Sequence, residues 1–501
     1  MKPLRPYQKD AIEALRRSLA SGKRRPVLQL ATGGGKTRLA AEIINLGTAK
    51  ANGSGFPVLF IVPAISLIDQ TVQAFWDEGI RNIGVLQGQH PLTNPNMPVQ
   101  VASVQTLVRR RLPHAKLVIV DECHRRSDWL TAKMHGPEWG SIPVIGLSAT
   151  PWTAGLGKDY DDLIVAATTA DLIAQEYLSA FRLYAPSHPD LSQVRTVAGD
   201  YHEGDLGKAM SAPTLVADAV TTWLEKGEQR PTLCFAVDRA HARKLCESFT
   251  GAGVPAEYMD AYTSREERTR IGQRLRTGET KVACNVGVAT TGVDWPWVSC
   301  LVLCRPTKSE ALYIQIVGRV LRLHPQGGDS LILDHTDTAL RLGLPTEIHH
   351  DILDDGKTDK AGKKKAKDDK KPLPKACTSC GVLKPAGVHK CPACGFAPMR
   401  QSDLDFADGQ LHELARSAGT SRSGPSQADM QRFYAMLVYE ATLRRYSAKW
   451  VDVSFKKRWG DWPERSNINP DCRPIEPDAT MRGWLVSQRI AWAKSKSKRS
   501  A

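Results

Sequence analysis

The chain has 501 residues, with 68 Lys+Arg against 53 Asp+Glu and a formal net charge of +15. At about 150 residues per domain there is room for about three domains, and 42% hydrophobic with 24% charged residues excludes wholesale disorder. No apolar run approaches the ~18 residues of a membrane span, and the opening MKPLRPYQKD lacks the apolar core of a signal peptide, so a cytoplasmic protein without a membrane partner is expected.

In chain order, Val27–Ala31, Val58–Val62, Leu117–Val120 and Val144–Leu147 are short apolar runs between helical patterns, and they predict buried parallel strands. The pattern returns at Thr232–Val237, Val282–Val286, Cys300–Cys304 and Leu331–Leu333. Two such blocks predict an α/β protein with two tandem doubly wound parallel-sheet domains, at 1–152 and 229–350. Residues 153–228 read as a connector and the entry to the second domain. Residues 351–375, almost without apolar side chains beyond Asp354, read as a flexible basic linker. A cysteine module at 376–397 and a helical, Trp-rich, basic region at 398–501 follow. Cys123, Cys234, Cys246, Cys284, Cys300, Cys304 and Cys472 are scattered and read as reduced thiols.

Thr32-Gly33-Gly34-Gly35-Lys36-Thr37 sits between the first strand and a helical run, the setting a phosphate-binding loop requires. Glycines let backbone N–H groups turn inward around a phosphate, and the helix N-terminus adds the positive end of its dipole. Lys36 is expected to reach the β- and γ-phosphates, and Thr37 to place its hydroxyl on Mg²⁺. Asp121 and Glu122 end the third strand at the carboxyl edge of the sheet, where ligands bind. There Asp121 would hold Mg²⁺, and Glu122 would orient and deprotonate the attacking water.

Asp121-Glu122-Cys123-His124 after a strand, with the phosphate loop before it and Ser148-Ala149-Thr150 after it, resembles a superfamily 2 helicase or translocase. Further motifs follow in order over roughly residues 3–325. Leu4-Arg5-Pro6-Tyr7-Gln8 looks like the adenine-reading Q motif, with Gln8 as reader and Tyr7 beside it. Val62-Pro63 through Gln70 looks like motif Ia, and Val101 through Thr106 like the next strand-binding motif. Asn285 through Asp294 looks like motif V, and Gln315-Ile316-Val317-Gly318-Arg319-Val320-Leu321-Arg322 like motif VI. The DECH box and LRPYQ look closest to the type III restriction/Rad25/UvsW-like group, and the whole arrangement resembles phage- or prophage-type members with a C-terminal zinc ribbon.

The resemblance implies two RecA-like domains with ATP in the cleft between them. Gln315, Arg319 and Arg322 would then act from the second domain, the arginines as fingers on the γ-phosphate. Asp294 would sense the nucleotide from the same side. His124 would link the γ-phosphate to the coupling pair Ser148 and Thr150, unless it is a merely packed histidine. The implied function is an ATP- and Mg²⁺-dependent helicase or translocase that prefers DNA over RNA as its nucleic-acid partner. A motor subunit of a restriction system and an RNA helicase are the alternatives. Replication, recombination or restriction proteins are the protein partners to expect.

Cys377-x₂-Cys380 and Cys391-x₂-Cys394 have the spacing of a structural Zn²⁺ site with four thiolates and no open position for catalysis. Gly381 and Gly395 follow the pairs, as knuckle turns require. His389 reads as a surface residue. Residues 1–350 carry 39 basic and 35 acidic side chains, net +4, while 351–501 carry 29 and 18, net +11. Linker, ribbon and tail together therefore read as an accessory grip on nucleic acid. The basic aromatic stretch from Trp450 to Pro463 can either stack bases or form a small core.

Overall fold

The computed structural model describes residues 3–49, 56–197, 199–290, 295–356, 373–397 and 426–478, with Met481 and Leu485. The chain divides into two compact units, Met1–Arg400 and Gln401–Ala501. The first unit contains two lobes, each built on one parallel sheet.

The first sheet has seven strands: β1 (Pro26–Leu30), β2 (Val58–Val62), β3 (Ile83–Leu86), β4 (Val99–Ser103), β5 (Leu117–Asp121), β6 (Val144–Ser148) and β7 (Asp162–Ala167). They lie in the order β3-β4-β2-β5-β6-β1-β7, all parallel. Alternation along each strand feeds two cores. Leu28, Leu30, Phe60 and Val62 face one side with Leu39 and Ile44 of the helix Lys36–Ala49, while Val27, Leu59 and Ile61 face the other with Leu156 and Tyr160. Both faces are covered, so the strands read as continuous apolar runs.

The second sheet begins with β8 (Phe181–Tyr184); a small hairpin, β9 (Thr196–Val197) with β10 (Asp200–Tyr201), follows it. β11 (Thr232–Phe235), β12 (Ala256–Met259), β13 (Val282–Asn285), β14 (Cys300–Leu303) and β15 (Ser330–Asp334) complete it, in the order β12-β13-β11-β14-β15-β8 and all parallel. Leu233, Phe235, Leu301 and Leu303 face one core, and Cys234, Cys284, Cys300 and Val302 the other.

The segment 153–228 is shared between the lobes. β7 extends the first sheet beside β1, and β8 opens the second beside β15. β16 (Lys375–Ala376) and β17 (Leu383–Lys384) pair in the cysteine module. Val382 makes an antiparallel bridge to Tyr184 at the end of β8, and Leu383 is buried in the second lobe's core with Leu183. The module therefore covers the outer edge of the second sheet, an edge otherwise left with unpaired backbone groups.

In the second unit the helices Gln427–Arg444 and Ala448–Trp459 enclose Phe433, Leu437, Val451 and Phe455. Trp450 and Trp459 pack against that core, whereas Trp462 is 36% exposed with Lys456 over its ring. Residues 357–372 of the expected linker, residues 398–425 of the expected helical region, and Trp484 and Trp492 lie outside the described residues.

Candidate active site

β1 delivers the chain into a tight loop whose backbone only glycine tolerates. Gly33 and Gly35 have φ of +86° and +87°. A Cβ on Gly35 would sit 2.7 Å from the Gln8 amide nitrogen. Helix Pro6–Ala20 braces the loop from behind. Tyr7 Oη donates to the Gly34 carbonyl at 2.7 Å, and Gln8 Nε2 donates to the Gly34 and Gly35 carbonyls at 3.1 and 3.4 Å. The other end of the Gln8 amide accepts the Arg5 N–H at 3.0 Å. Gln8 is 2% exposed, and both ends of its amide are engaged with protein. The cavity wall on this side is instead Arg5 and Tyr177, with the guanidinium 4.4 Å from the Tyr177 ring centroid.

β5 and β6 bring the acidic pair and the Ser-Ala-Thr turn to the same sheet edge, with Asp121 in register with Leu147. Glu122 has φ of +49°, the left-handed region that side chains with a Cβ rarely occupy. That turn points its carboxylate back at the loop, where Oε1 meets Lys36 Nζ at 2.5 Å. Burial works against the charged form of Lys36, but Glu122 and Asp121 outweigh it and hold its pKa above the ordinary value. Burial also opposes the Glu122 carboxylate, yet Lys36 and His124 hold its pKa low. Asp121 has the opposite balance: burial pushes its pKa up to about 6 despite Lys36. Cys123 is buried beneath this turn, against Gly146.

His124 forms the hub between the lobes. Its Nδ1 lies 2.8 Å from Ser148 Oγ and 3.3 Å from Glu122 Oε2. Its Nε2 accepts from Gln315 Nε2 at 3.2 Å, and the same amide donates to Thr150 Oγ1 at 3.0 Å. Burial lowers the His124 pKa to about 4, so the ring is neutral at pH 7 and carries its proton on Nδ1. Gln315 comes from helix Glu310–Val317, which opens beyond the end of β14 in the second lobe. Directly after it, a Cβ on Gly318 would lie 2.7 Å from Thr32 Cβ, so the lobes touch there. Arg319 and Arg322 line the same cavity as Lys36, Thr37, Asp121 and Glu122, which measures about 790 Å³. Burial lowers the pKa of both guanidinium groups.

Of the residues expected from sequence, those of the phosphate loop, acidic pair, coupling pair and motif VI converge on this cleft. Asp294 lies outside the described residues. Arg5, Tyr177 and Arg125 also line the cavity, and sequence reasoning missed them as site residues. Tyr177 follows the helix Thr169–Ala174 in the connector and meets Arg5 only through the fold.

The sequence model of the family described as type III restriction enzyme, res subunit, matches residues 1–153, and that of the helicase conserved C-terminal domain matches residues 215–324. The chain is 33% identical over 354 residues to the Saccharomyces cerevisiae protein named "Putative ATP-dependent helicase IRC3", covering 66% of this chain and 51% of that one. It is 28% identical over 448 residues to the "51.5 kDa protein" of Lactococcus phage (isolate 7-9), covering 88% of this chain and 89% of that one. Among solved structures, the ATP-dependent Type ISP restriction-modification enzyme LlaBIII bound to DNA shares the fold with a TM-score of 0.51 at 16% identity, over 66% of this chain and 28% of that one. The chain belongs to the superfamily 2 helicases. It spans about half the length of the yeast relative.

A second cluster lies on the second lobe. The sulfurs of Cys377, Cys380, Cys391 and Cys394 all lie within 4.8 Å of one another, with Cys377–Cys394 at 3.7 Å and Cys380–Cys391 at 3.8 Å. Gly381 and Gly395 have φ of +78° and +73° and donate their N–H groups to the Cys377 and Cys391 carbonyls. Backbone N–H groups of Cys380 and Ser379 lower the Cys377 pKa to about 6, whereas burial raises that of Cys380 to about 12. The cluster is compatible with a zinc ribbon. His389 is exposed. No helix among the described residues is long and apolar enough to cross a membrane.

Proposed function

We propose that the chain hydrolyses ATP between its two lobes and uses the cycle to move along or remodel nucleic acid, with DNA preferred over RNA. The observation that carries this reading is the Gln315 amide of one lobe bonded to His124 and Thr150 of the other, inside a cavity that also holds Lys36, Glu122, Arg319 and Arg322. ATP phosphates drawn into the glycine loop compete for Lys36. That frees the Glu122 carboxylate to take the proton of the attacking water. Arg319 and Arg322 meet the charge that spreads over the transferring phosphoryl group. His124, bonded to both lobes, passes the difference between nucleotide states to the Ser148–Thr150 turn.

Thr37 and Asp121 are the residues that would hold Mg²⁺, whose chemistry is to neutralise charge on the phosphates. The fit rests on Asp121, a buried carboxyl whose charged form is costly without a cation beside it. The four thiols fit Zn²⁺ equally well: a tetrahedral S₄ cage with Zn–S of about 2.3 Å has sulfurs about 3.8 Å apart. Two of their separations, 3.7 Å for Cys377–Cys394 and 3.8 Å for Cys380–Cys391, match that edge, and all four sulfurs lie within 4.8 Å of one another.

The nucleic-acid face is expected across the carboxyl ends of β2 and β4, where Gln105 Nε2 reaches the Pro63 carbonyl at 3.5 Å and the exposed Arg109, Arg110 and Arg111 follow. The match to the restriction-subunit family favours DNA, and it supports a second reading as the motor subunit of a restriction system. A panel of ATPase and unwinding assays with single-stranded, duplex and forked DNA and with RNA tests both. DNA should stimulate hydrolysis most, and Lys36→Ala or Glu122→Gln should abolish it with the fold intact. Stimulation by RNA alone, or wild-type turnover in Glu122→Gln, would refute the reading.

A further inference from the structure

Beyond β15 the chain passes through helix Thr338–Leu342 and seats Leu344 and Ile348 in the second lobe's core. A few residues later it has crossed back. Leu353 packs on the face of the first sheet that holds Leu156 and Tyr160. The Asp354 carboxylate accepts the Gly155 N–H at 3.0 Å, and its main-chain carbonyl accepts the Gly157 N–H at 2.7 Å. The fit is close, because a Cβ on Gly157 would lie 3.0 Å from that carbonyl oxygen and 3.3 Å from Leu353 Cβ.

An exchange in the other direction faces it. Trp152, two residues beyond Thr150, belongs to the first lobe but packs on the second lobe's core. Its ring centroid lies 4.9 Å from that of His350. His350 Nε2 in turn meets Glu310 Oε2 at 2.6 Å. Glu310 is the first residue of the helix that carries Gln315. The receiving loop is itself tied to the acidic motif, since Thr153 Oγ1 donates to the His124 carbonyl at 2.8 Å.

We propose that residues 344–356 form an inter-lobe strap, in which Leu353 and Asp354 are positioning residues that set the loop beyond Thr150, and with it His124, against Gln315. The bonds of Asp354 and His350 run to the turn that follows the coupling pair and to the helix that bears motif VI, rather than to the glycine loop. Hydrolysis therefore depends on it and nucleotide capture does not. The inference rests on the reading of the cleft as an ATPase site.

The test uses the full chain carrying Leu353→Ala with Asp354→Ala. We expect nucleic-acid-stimulated kcat to fall about tenfold, the scale of an ordinary coupling energy, while KM for ATP stays within about twofold. The distance distribution between one label on each lobe should broaden without nucleotide. Leu353→Met with Asp354→Asn keeps the apolar contact and an acceptor for the Gly155 N–H, and should restore kcat and the narrow distribution. Unchanged kcat together with an unchanged distribution overturns the strap. So does a variant that loses ATP binding and melting temperature together, which is the mark of a merely structural role. A wild-type chain with no ATPase sinks the cleft reading instead, and the label distribution still decides the strap.

Discussion

Gly318 shows how closely one residue limits the approach of the two lobes. Its missing side chain lets the second lobe come against Thr32 of the glycine loop, where an added Cβ would be 2.7 Å from Thr32 Cβ. Neither atom is the end of a flexible chain, so Gly318→Ala must move the lobes apart by a few tenths of an ångström. The contacts of Gln315 with His124 and Thr150, at 3.2 and 3.0 Å, lengthen with them. A misplacement of about 1 Å can cost a hundredfold in rate, and a few tenths of that roughly two- to tenfold. The kcat of Gly318→Ala should fall by that factor, with the thermal midpoint within about 2 °C of wild type; a normal kcat would show that the lobes are not limited here. Buried histidines make the stability of the fold depend on pH. His124, His241 and His335 each have a pKa lowered to about 4 by burial. For His335, Nδ1 lies 2.8 Å from Ser187 Oγ, and Nε2 meets no hydrogen-bond partner among the described residues. Between pH ~6.5 and about 4 the unfolded chain therefore binds protons that the folded chain refuses, and stability falls as pH falls, on the order of 3 kcal/mol for one such group. The thermal midpoint should drop over that window, and His335→Gln should make the drop shallower; an equal slope in the variant would remove His335 from the account.

Elements differ in how plainly the sequence shows them. The strands that carry the site, β1, β2, β5 and β6, are five-residue runs dominated by apolar residues and bounded by turns, and chain order alone placed Lys36, Asp121 and Ser148 at their carboxyl ends. β7 and β8 were not legible. Asp162–Ala167 starts with a carboxylate bonded to Ser18, and Phe181–Tyr184 has only four residues, one of them Arg182 paired with Asp329. At the site, positive φ at Glu122 and the approach of Tyr177 to Arg5 belong to tertiary structure and leave no local pattern. The cysteine module was legible by spacing, but its seat was not, because a single leucine in a short strand announces no partner. That seat carries a prediction. Leu383 is buried in the second lobe's core and Val382 bridges β8, so the thiol cage supports the sheet edge. Stripping metal with a chelator, or Cys391→Ser, should release Leu383 at about 2 kcal/mol and raise amide exchange in β8. β8 exchange that is unchanged after metal loss would show that the module is held without its cage.

At the scale of the whole molecule the charge asymmetry takes a different form from the one its sequence position implies. Of the net +11 beyond residue 350, residues 351–400 hold 12 basic and 6 acidic side chains, and 401–501 hold 17 and 12. The cysteine module in the first of these stretches belongs to the second lobe, and Leu353 and Asp354 belong to the strap against the first. A cut near Asp354 would therefore remove packing from both lobes, and any loss of DNA affinity could not be assigned to the charge. The informative boundary is Arg400, where the two compact units divide. The second unit has its own core around Leu437 and Phe455, which leaves its charges and the half-exposed Trp462 under Lys456 available to a nucleic acid. Each phosphate neutralised by a cation releases counterions and steepens the salt dependence by about 0.9 in log K against log salt. Net charge of +5 in 401–501 is enough for two or so such contacts. A chain ending at Arg400 should therefore keep its ATPase while the salt slope of DNA binding becomes shallower by about two. It should show no change in sequence preference, since charge and stacking read backbone and base faces rather than base edges. An identical slope in the shortened chain would assign the second unit's charge to solubility alone.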